Sequence, residues 1–400
     1  MNQKKKPKIS FLFNQLLTKE LRTGGEVRGK VIATAFKKSR QFNTTVIVPE
    51  ISSPSFPNYD KIIIGHQQIE KKINRETAFS ALILYIVRTL QTIKHQSQIK
   101  PNILYSTGDF FCNIIPSVII KKNRPNTKLA VVIHHINQNP LHRRHSSFII
   151  SSISYLLQQL SLNLIKNNFD IVFVVNQQVK KYLKEDKKFS QKIIVSGNGL
   201  DLKQINQDIK LAGNIKAKNH ICYFGRVSAT KGSLDLPKIL KQIRQDIPSI
   251  HLDIIGSVSP DIQQTLINDF LKNDCQKNYT LHGFIPQKKD IFKIMLQSKV
   301  VLFPSYEEGW GISLFEAAML QKPIVAYNLS IFQELFQNKL ITAPIGNTKI
   351  FSQKAIKLLK NNRSIETKKY IKYCYHIANK YDWSNVFIKE KEYLIKQTKQ

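Results

Sequence analysis

Glu308 and Glu316 stand at the two ends of a glycine-containing stretch, with seven residues between them. The apolar run just before them, Val300 to Phe303, predicts a buried strand, and the residues from Ser313 onward predict a helix. Such a unit places free backbone N–H groups at the carboxyl edge of a parallel sheet, where anionic ligands bind. Glu308 on the loop and Glu316 one turn into the helix are spaced to hold two separate hydroxyl-bearing parts of one ligand. The alternative is a solvated pair in which one glutamate balances the helix dipole.

Two cations follow another predicted strand, Ile221 to Phe224, in the sequence G-R-V-S-A-T-K-G. Arg226 offers forked hydrogen bonds to phosphate oxygens, and Lys231 adds a mobile point charge. Together they suit a diphosphate, and they would stabilise it most strongly as it leaves. The alternative is a pair of surface cations in a lysine-rich chain.

The first half of the chain also has two features that could contact a ligand. The predicted strand Leu129 to Ile133 ends directly in His134-His135, and histidines at such a strand end face ligands or simply bond to backbone. Gly24-Gly25 falls between the first strand and the first helix, where a missing side chain lets backbone approach a ligand closely. Paired glycines are also common in ordinary turns.

The charge of the 400-residue chain is unusual: 61 Lys and Arg against 27 Asp and Glu give a net charge of +34. The first 200 residues hold 31 basic and 10 acidic residues, so most of the excess lies there. A surface of this sign attracts phosphates, nucleic acid or anionic lipid head groups, although a general lysine bias would also produce it. No segment matches a nucleic-acid-binding motif, so nucleic acid is not an expected partner.

The four cysteines are scattered, without metal-ligand spacing, and the N-terminus does not form a secretory signal. These features predict a reducing, cytoplasmic location. No run of about 18 apolar residues is present, so a transmembrane helix is not expected. The most apolar helix candidate, residues 146–166, is interpreted either as a core helix packed on the sheet or as a helix with one end at a membrane interface. Arg143, Arg144 and His145 precede it, and Lys166 ends it.

Strands and helices alternate along the chain without hairpins, which predicts α/β architecture with parallel, doubly wound sheets. A polar, lysine-rich stretch ending near Asn219 interrupts the alternation. We therefore predict one domain over residues 1–199, a second over 200–380, and a terminal helix over 381–400.

Four segments in order resemble the retaining glycosyltransferases of the GT-B fold, the large group called glycosyltransferase family 4. They are S-G-N-G-L-D at Ser196–Asp201, G-R-V-S-A-T-K-G at Gly225–Gly232, L-H-G-F at Leu281–Phe284, and P-S-Y-E-E-G-W-G-I-S-L-F-E-A at Pro304–Ala317. The last is that family's glutamate–seven residues–glutamate signature. The resemblance covers residues 193–335 well and the first half weakly.

The resemblance implies two Rossmann-like domains facing across a cleft, with the nucleotide-sugar donor held by the second and the acceptor by the first. It also implies that the terminal helix crosses back onto the first domain. Arg226 and Lys231 would then hold the pyrophosphate, Glu308 the sugar and Glu316 the ribose. Further expected donor contacts are Gly25, Phe284, Gly311, Ile312, Ser313 and Leu314. His134 would lie near the reacting sugar, and Glu334 matches a further family glutamate whose role is less defined.

Four positions depart from the family pattern: His135 where Asp is frequent, Ser196 for Pro, Trp310 for Phe and Lys322 for Gly. The His134-His135 pair leaves open which histidine functions. No Asp-x-Asp pair occupies a suitable loop, so no metal or other cofactor is expected.

The expected function is retaining transfer of a hexose from a nucleoside-diphosphate sugar to an acceptor hydroxyl, in cell-surface polysaccharide or glycolipid synthesis. The acceptor would be a saccharide or a lipid-linked saccharide, and the inner membrane face a peripheral site of attachment. The alternatives are another GT-B enzyme, such as a sugar phosphorylase or nucleotide-sugar epimerase, and a non-enzymatic basic binding protein.

Overall fold

The computed structural model describes residues 6–18, 23–65, 70, 73, 78–141, 148–184 and 187–398. Within this part the chain forms two compact units. Unit 2 is Leu200–Asp382, and unit 1 consists of the described residues before Leu200 together with those from Trp383 onward.

Unit 1 alternates strands and helices along the chain. Its strands are β1 Lys8–Leu12, β2 Asn43–Pro49, β3 Asp60–Ile64, β4 Ile103–Ser106, β5 Lys128–Ile133, β6 Ile171–Val174 and β7 Ile193–Val195. Its helices before unit 2 are α1 Gly24–Ser39, α2 Ala78–Lys94, α3 Phe111–Asn123, α4 Phe148–Asn168, α5 Gln177–Leu183 and α6 Lys187–Lys192.

The seven strands of unit 1 form one parallel sheet in the order β3-β2-β1-β4-β5-β6-β7. β4 and β6 are buried along their whole length, because helices cover both faces of a doubly wound sheet. The chain builds outward from β1 in one direction and then from β4 in the other. The point where the order reverses lies between β1 and β4, and ligands bind at the carboxyl ends of such strands.

Unit 2 repeats this architecture. After α7 Leu202–Ala212, its strands are β8 His220–Phe224, β9 His251–Ile255, β10 Tyr279–Gly283, β11 Ser298–Phe303, β12 Ile324–Tyr327 and β13 Thr342–Ala343. Its other helices are α8 Leu236–Asp246, α9 Pro260–Lys272, α10 Lys288–Gln297, α11 Ile312–Met319, α12 Ser330–Leu335, α13 Thr348–Lys360 and α14 Ile365–Ala378. The sheet is parallel, in the order β10-β9-β8-β11-β12-β13, and its order reverses between β8 and β11.

The last helix, α15 (Trp383–Thr398), belongs to unit 1. It packs on α1, where the rings of Phe36 and Phe387 meet edge to face at 5.0 Å. Trp383, Val386 and Leu394 are buried in the same core. Unit 2 is therefore one continuous segment, whereas unit 1 is completed by chain from both sides of it.

The predicted alternation and the parallel, doubly wound sheets are confirmed, but several local predictions differ. Gly24-Gly25 is the first turn of α1 rather than a loop, because Thr23 and Glu26 form a capping box ahead of it. Helix α3 was not predicted, and it contains Pro116. The polar stretch before Asn219 contains α7, which Asp201 caps.

Helix α4 corresponds to the predicted helix 146–166. Leu162 and Ile165 lie in the hydrophobic core, as the core-helix interpretation predicts, but other apolar residues of the helix do not. Ile149 and Leu156 are 69% and 65% exposed. By length and composition alone, α4 is long and apolar enough to cross a membrane. Among the described residues it is therefore an exception to the expectation that no such segment exists. The basic residues Arg143, Arg144 and His145 ahead of it lie outside the described residues.

Candidate active site

Two loops of unit 2 meet where its strand order reverses. The loop 225–232 follows β8, and the loop 304–311 follows β11. The carbonyl of Thr230 accepts hydrogen bonds from the backbone N–H of Tyr306 (3.0 Å) and of Glu307 (3.3 Å). A Cβ at Gly232, whose φ is +69°, would lie 1.7 Å from the Pro304 carbonyl oxygen. Glycine is therefore required there for the two loops to approach each other.

Lys231 and Glu308 are brought together by this contact. The Lys231 ammonium lies 2.9 Å from a Glu308 carboxylate oxygen and also donates to the Glu307 carbonyl at 2.9 Å. The other Glu308 oxygen accepts from the Ser305 hydroxyl at 3.1 Å. Both side chains are partly buried, so the pair is held in a defined place.

Arg226 lies on the same loop as Lys231, and its side chain is exposed. Its backbone is fixed, because its carbonyl accepts a hydrogen bond from the Tyr223 hydroxyl at 2.7 Å. Within the part of the chain that the structure describes, no carboxylate forms an ion pair with Arg226. Its guanidinium is thus available to an anion beside the Lys231–Glu308 pair.

The N-terminus of α11 opens at the same edge. Gly311 precedes it with φ +90°, and a Cβ there would lie 2.9 Å from the Phe332 ring. The N–H groups of Ile312 and Ser313 belong to the open first turn of the helix. The N–H of Leu314 already donates to the Gly311 carbonyl at 3.0 Å, so it is less available to a ligand than the resemblance implies.

Glu316 lies on α11 and is 5% exposed. One of its oxygens is 2.7 Å from the ammonium of Lys288, the first residue of α10. That ammonium also lies 5.1 Å from the centre of the Phe224 ring. Glu308 and Glu316 therefore do not form a touching pair, because each has its own lysine. We call the ends of β8 and β11, with Arg226, Lys231, Glu308 and Glu316, the charged edge.

Sequence reasoning missed Lys288, since one lysine in a lysine-rich chain carries no spacing signal. The only indication was its position four residues after Phe284. Phe284 itself is 52% exposed on the loop after β10, the edge strand. The structure does not place it in a described contact with Glu316 or Lys231.

The corresponding edge of unit 1 brings Gly25 and His134 together. A Cβ at Gly25 would lie 3.0 Å from His134 Nε2, so only glycine leaves room for the imidazole. The same Nε2 lies 3.2 Å from the Thr107 carbonyl at the end of β4, a bond that requires the proton on Nε2. We call this group, Gly25, Thr107 and His134, the neutral edge.

The pKa of His134 is lowered to about 3. Burial is the largest cause, and the positive charge of Arg28 is the next. The imidazole is therefore uncharged at neutral pH. His135 is exposed, and its carbonyl accepts from Gln158 Nε2 at 2.9 Å. Of the two histidines, His134 is the one that the fold places against the first turn of α1.

Arg28 lies one turn after Gly25 on α1 and is fully buried. It donates to the Ser196 hydroxyl (2.8 Å) and to the Gly197 carbonyl (3.3 Å). It also forms an ion pair with Glu390 on α15. This network was not predicted, because its members are far apart in sequence and no motif joins them.

The structure gives reasons for three departures from the family pattern. Ser196 supplies the hydroxyl that Arg28 bonds. Trp310 is 3% exposed and stacks on Phe315 at 4.0 Å, so it is a core residue. Lys322 donates to the carbonyls of Leu296 (2.6 Å) and Ser298 (2.8 Å), and thereby fixes the junction between α10 and β11. Glu334 lies on α12 and is partly buried.

Residues 204–376 match the family model described as "Glycosyl transferases group 1". Two curated relatives are the uncharacterized glycosyltransferases MJ1069 and MJ1059 of Methanocaldococcus jannaschii. The first is 24% identical over 69% of this chain and 71% of its own length, and the second 25% identical over 60% and 58%.

Solved structures share the fold over nearly the whole chain. Sucrose-phosphate synthase from Thermosynechococcus elongatus superposes with a TM-score of 0.76 at 14% identity, covering 98% of this chain and 99% of that one. Anabaena Alr3699/HepE in complex with UDP and glucose gives 0.73 at 17% identity, over 98% and 100%.

These solved structures and the two doubly wound sheets show that the chain has the GT-B fold. The match to the glycosyl transferases group 1 covers most of unit 2, and the chain is similar to glycosyltransferases of that group.

Proposed function

We propose that this glycosyltransferase moves a hexose from a nucleoside-diphosphate sugar to an acceptor hydroxyl and retains the anomeric configuration. The observation that carries the proposal is the charged edge, where an ammonium and a carboxylate lie 2.9 Å apart next to an exposed guanidinium and a helix N-terminus. A sugar diphosphate joins an anionic group directly to a hydroxyl-bearing ring. Its recognition therefore requires cations and a hydrogen-bond-accepting carboxylate side by side.

In this proposal Arg226, Lys231 and the first turn of α11 hold the diphosphate, while Glu308 accepts hydrogen bonds from sugar hydroxyls. Glu316 accepts from the ribose hydroxyls, and Lys288 holds that buried carboxylate in place. Phe284 borders the base. In this arrangement the donor binds with its diphosphate in the middle, its sugar on the side of Glu308 and its nucleoside on the side of Glu316.

The proposed reaction is a front-side displacement. The bond between the sugar anomeric carbon and the diphosphate oxygen breaks, and the acceptor oxygen bonds to that carbon from the same face. The acceptor proton passes to the departing diphosphate oxygen. Arg226 and Lys231 stabilise the charge that develops on this oxygen, so no carboxylate has to act as a nucleophile.

Binding of nucleoside diphosphates tests the donor assignment. UDP is the first ligand to try, because HepE of the same fold was solved with UDP and with UDP-glucose. We expect UDP or another nucleoside diphosphate to raise the thermal midpoint of the wild type. Lys231→Met and Arg226→Met should reduce the shift, whereas Lys238→Met, which changes an exposed lysine on α8, should keep it. Equal shifts in all four proteins would overturn the assignment.

Product analysis separates transfer from the other GT-B activities. A transferase releases nucleoside diphosphate in proportion to acceptor, and the product keeps the anomeric configuration of the donor by NMR. Release of sugar phosphate with added phosphate would identify a phosphorylase, and an isomerised nucleotide sugar an epimerase. Binding without any turnover would identify a binding protein.

The proposal extends to cofactor and setting. We propose that no metal is needed, because the chain has no Asp-x-Asp pair in a suitable loop. Activity that survives EDTA would support this, and activity restored only by a divalent cation would contradict it. We further propose that the enzyme works in the cytoplasm on a saccharide or lipid-linked saccharide, in polysaccharide or glycolipid synthesis. The basic first half is the feature that favours an acceptor at an anionic membrane surface.

A further inference from the structure

The first half of helix α4 has its polarity reversed relative to a helix of a water-soluble domain. Ile149, Ile153, Leu156 and Leu160 follow one another at spacings of four, three and four, so they form one stripe, and they are 42–69% exposed. On the opposite side Ser151, Gln158 and Ser161 are buried. In water an amphipathic helix buries its apolar stripe and exposes its polar one.

The buried polar side chains of α4 are not accidental, because they bond to the loop after β5. Gln158 accepts from the Asn137 N–H at 2.8 Å and donates to Asp109 at 2.7 Å. Asn137 also donates to the Ser154 hydroxyl at 3.1 Å. The polar side of α4 is thus committed to the protein, and the apolar stripe is left facing outward.

Helix α2 has the same reversal. Its outward residues include Phe79, Ile86 and Leu90, which are 71%, 47% and 62% exposed. Its inward residues include Arg88, which is fully buried and forms an ion pair with Glu70, and Thr92, which bonds Asn14 at 2.9 Å. Helix α3 packs against both α2 and α4 and is largely buried. We call the outward apolar stripes of α2 and α4 the reversed surface.

The helices that carry and support the reversed surface, α2, α3 and α4, contain no Asp or Glu. The described residues between 78 and 168 hold eight Lys and Arg against one acidic residue, Asp109, and of these basic residues Arg88 is buried and paired with Glu70. Asp109 is itself buried. A second copy of this chain would bring an equally basic surface against it, which charge repulsion disfavours. Exposed apolar side chains on helices without acidic residues, in a segment with an excess of Lys and Arg, match an anionic bilayer, whose head groups attract Lys and Arg and whose acyl region accepts apolar side chains.

We propose that the reversed surface docks unit 1 on an anionic lipid bilayer, with α4 lying in the plane of the interface. The helix does not span the bilayer in this proposal, because its polar side bonds to the β5 loop and Asp109. The apolar stripe of α4 occupies its N-terminal half, and helices antiparallel to the strands of such a sheet begin at its carboxyl edge. The docked surface therefore adjoins the end of the molecule where His134 lies.

Docking itself does not depend on the proposed activity. Its consequence for the acceptor rests on the proposed function. The loop of residues 134–137 is bonded directly to α4, so the neutral edge is held near the lipid surface when α4 is seated there. An acceptor hydroxyl carried by a lipid head group would then be presented to this edge. An acceptor free in water would gain nothing from it.

Flotation of the full chain with vesicles tests docking without substrate or turnover. We expect it to float with vesicles of phosphatidylcholine plus phosphatidylglycerol at low salt, and to float less with phosphatidylcholine alone or at high salt. The triple variant Ile149→Gln/Ile153→Gln/Leu156→Gln should lower the partition coefficient at least about tenfold, since it removes the apolar contribution. The matched control Leu211→Gln/Leu271→Gln/Ile365→Gln changes three exposed apolar residues of unit 2, which are 58–67% exposed, and should float as the wild type does.

A fluorescent label shows which side of α4 enters lipid. All four native cysteines are buried, so a new exposed cysteine can be labelled selectively. An environment-sensitive dye on Ile153→Cys should shift to the blue with anionic vesicles, and the same dye on Ile365→Cys should not.

The proposal is overturned if the wild type fails to float, if both triple variants float equally, or if the two dyes respond alike. It is also overturned if light scattering finds a dimer that only the α4 triple variant dissociates, because the reversed surface would then bind a second copy. A wild type that floats with vesicles but does not bind nucleotide would instead contradict the proposed function alone.

Discussion

The two sheets of this chain have the same design, yet the edges where their strand order reverses differ in electrostatics. The charged edge of unit 2 carries two lysine–carboxylate pairs and an exposed arginine. The neutral edge of unit 1 carries an uncharged histidine against a glycine, and its nearby cation, Arg28, is turned inward and paired. The same topology therefore presents charged groups at one edge and an uncharged imidazole at the other, which is the division that the proposed donor diphosphate and acceptor hydroxyl require.

The strongest test of this comparison removes the buried cation behind the neutral edge. Arg28→Met leaves the Glu390 carboxylate unpaired inside unit 1, and we expect a loss of about 3–5 kcal/mol in its free energy of unfolding. The double variant Arg28→Met/Glu390→Met should recover most of that loss. In a Trp310→Phe background, Trp383 is the only tryptophan left and reports unit 1 alone during urea unfolding. A single variant as stable as the wild type would mean that the pair has no structural role.

The next largest effect concerns the charged edge. Lys231→Met should lower kcat about 10²–10³-fold, because it removes a cation aimed at the departing diphosphate. KM for the donor should change less than kcat if the lysine acts mainly on the transition state. Steady-state kinetics with Lys238→Met as the control measures this. A change confined to KM would assign Lys231 to binding only.

The neutral edge also predicts a pH dependence of stability. The folded-state pKa of His134, about 3, lies below its ordinary value of 6.5, so the unfolded state binds the proton more readily. Stability contributed by the neutral imidazole is fully present above about pH 6.5 and is lost as the pH falls toward 3. Between pH 7.5 and pH 5 we expect the wild type to lose roughly 2 kcal/mol more than His134→Asn. Parallel curves for the two proteins, recorded by the Trp383 signal, would show that His134 is not shielded from water.

The smallest expected effect is at Glu316. Glu316→Gln keeps the shape but removes the charge that Lys288 bonds, and we expect KM for the nucleotide sugar to rise about tenfold with little change in kcat. With a deoxyribose donor, the difference in KM between the variant and the wild type should be smaller, because the proposed contact of Glu316 is to ribose hydroxyls. Glu392→Gln, on the exposed side of α15, is the matched control. A tenfold rise in KM that persists with the deoxyribose donor would contradict the assignment of Glu316 to the ribose.

The parts of this fold that the sequence predicts are those with short-range signals. Apolar runs such as Val300–Phe303 appear as strands, and the glutamate–seven residues–glutamate spacing marks the charged edge. Helix α3 escaped because Asn113 and Pro116, which lies inside the helix, interrupt its pattern. Lys288 and Arg28 escaped for a different reason. Their partners are distant in sequence, and only the assembled sheet brings them together.

Helix α4 illustrates a further limit. Its composition is that of a core helix, and periodicity identifies the helix but not which side faces the protein. The decision rests with Gln158 and Ser154, whose hydrogen bonds to the β5 loop fix the rotation of the helix. Partners of this kind can be recognised only after the strand and the helix have been packed together.

The Arg28–Glu390 pair joins residues 362 positions apart, with all of unit 2 between them. On the ribosome, α1 therefore emerges long before the carboxylate that neutralises its central cation. Unit 2 is contiguous and can complete its core as it is made. Unit 1 must wait for α15, so its final closure follows that of unit 2 and occurs as one late event. The order of synthesis thus makes unit 1, with its neutral edge, the last part of the molecule to be assembled, after the charged edge of unit 2 has folded.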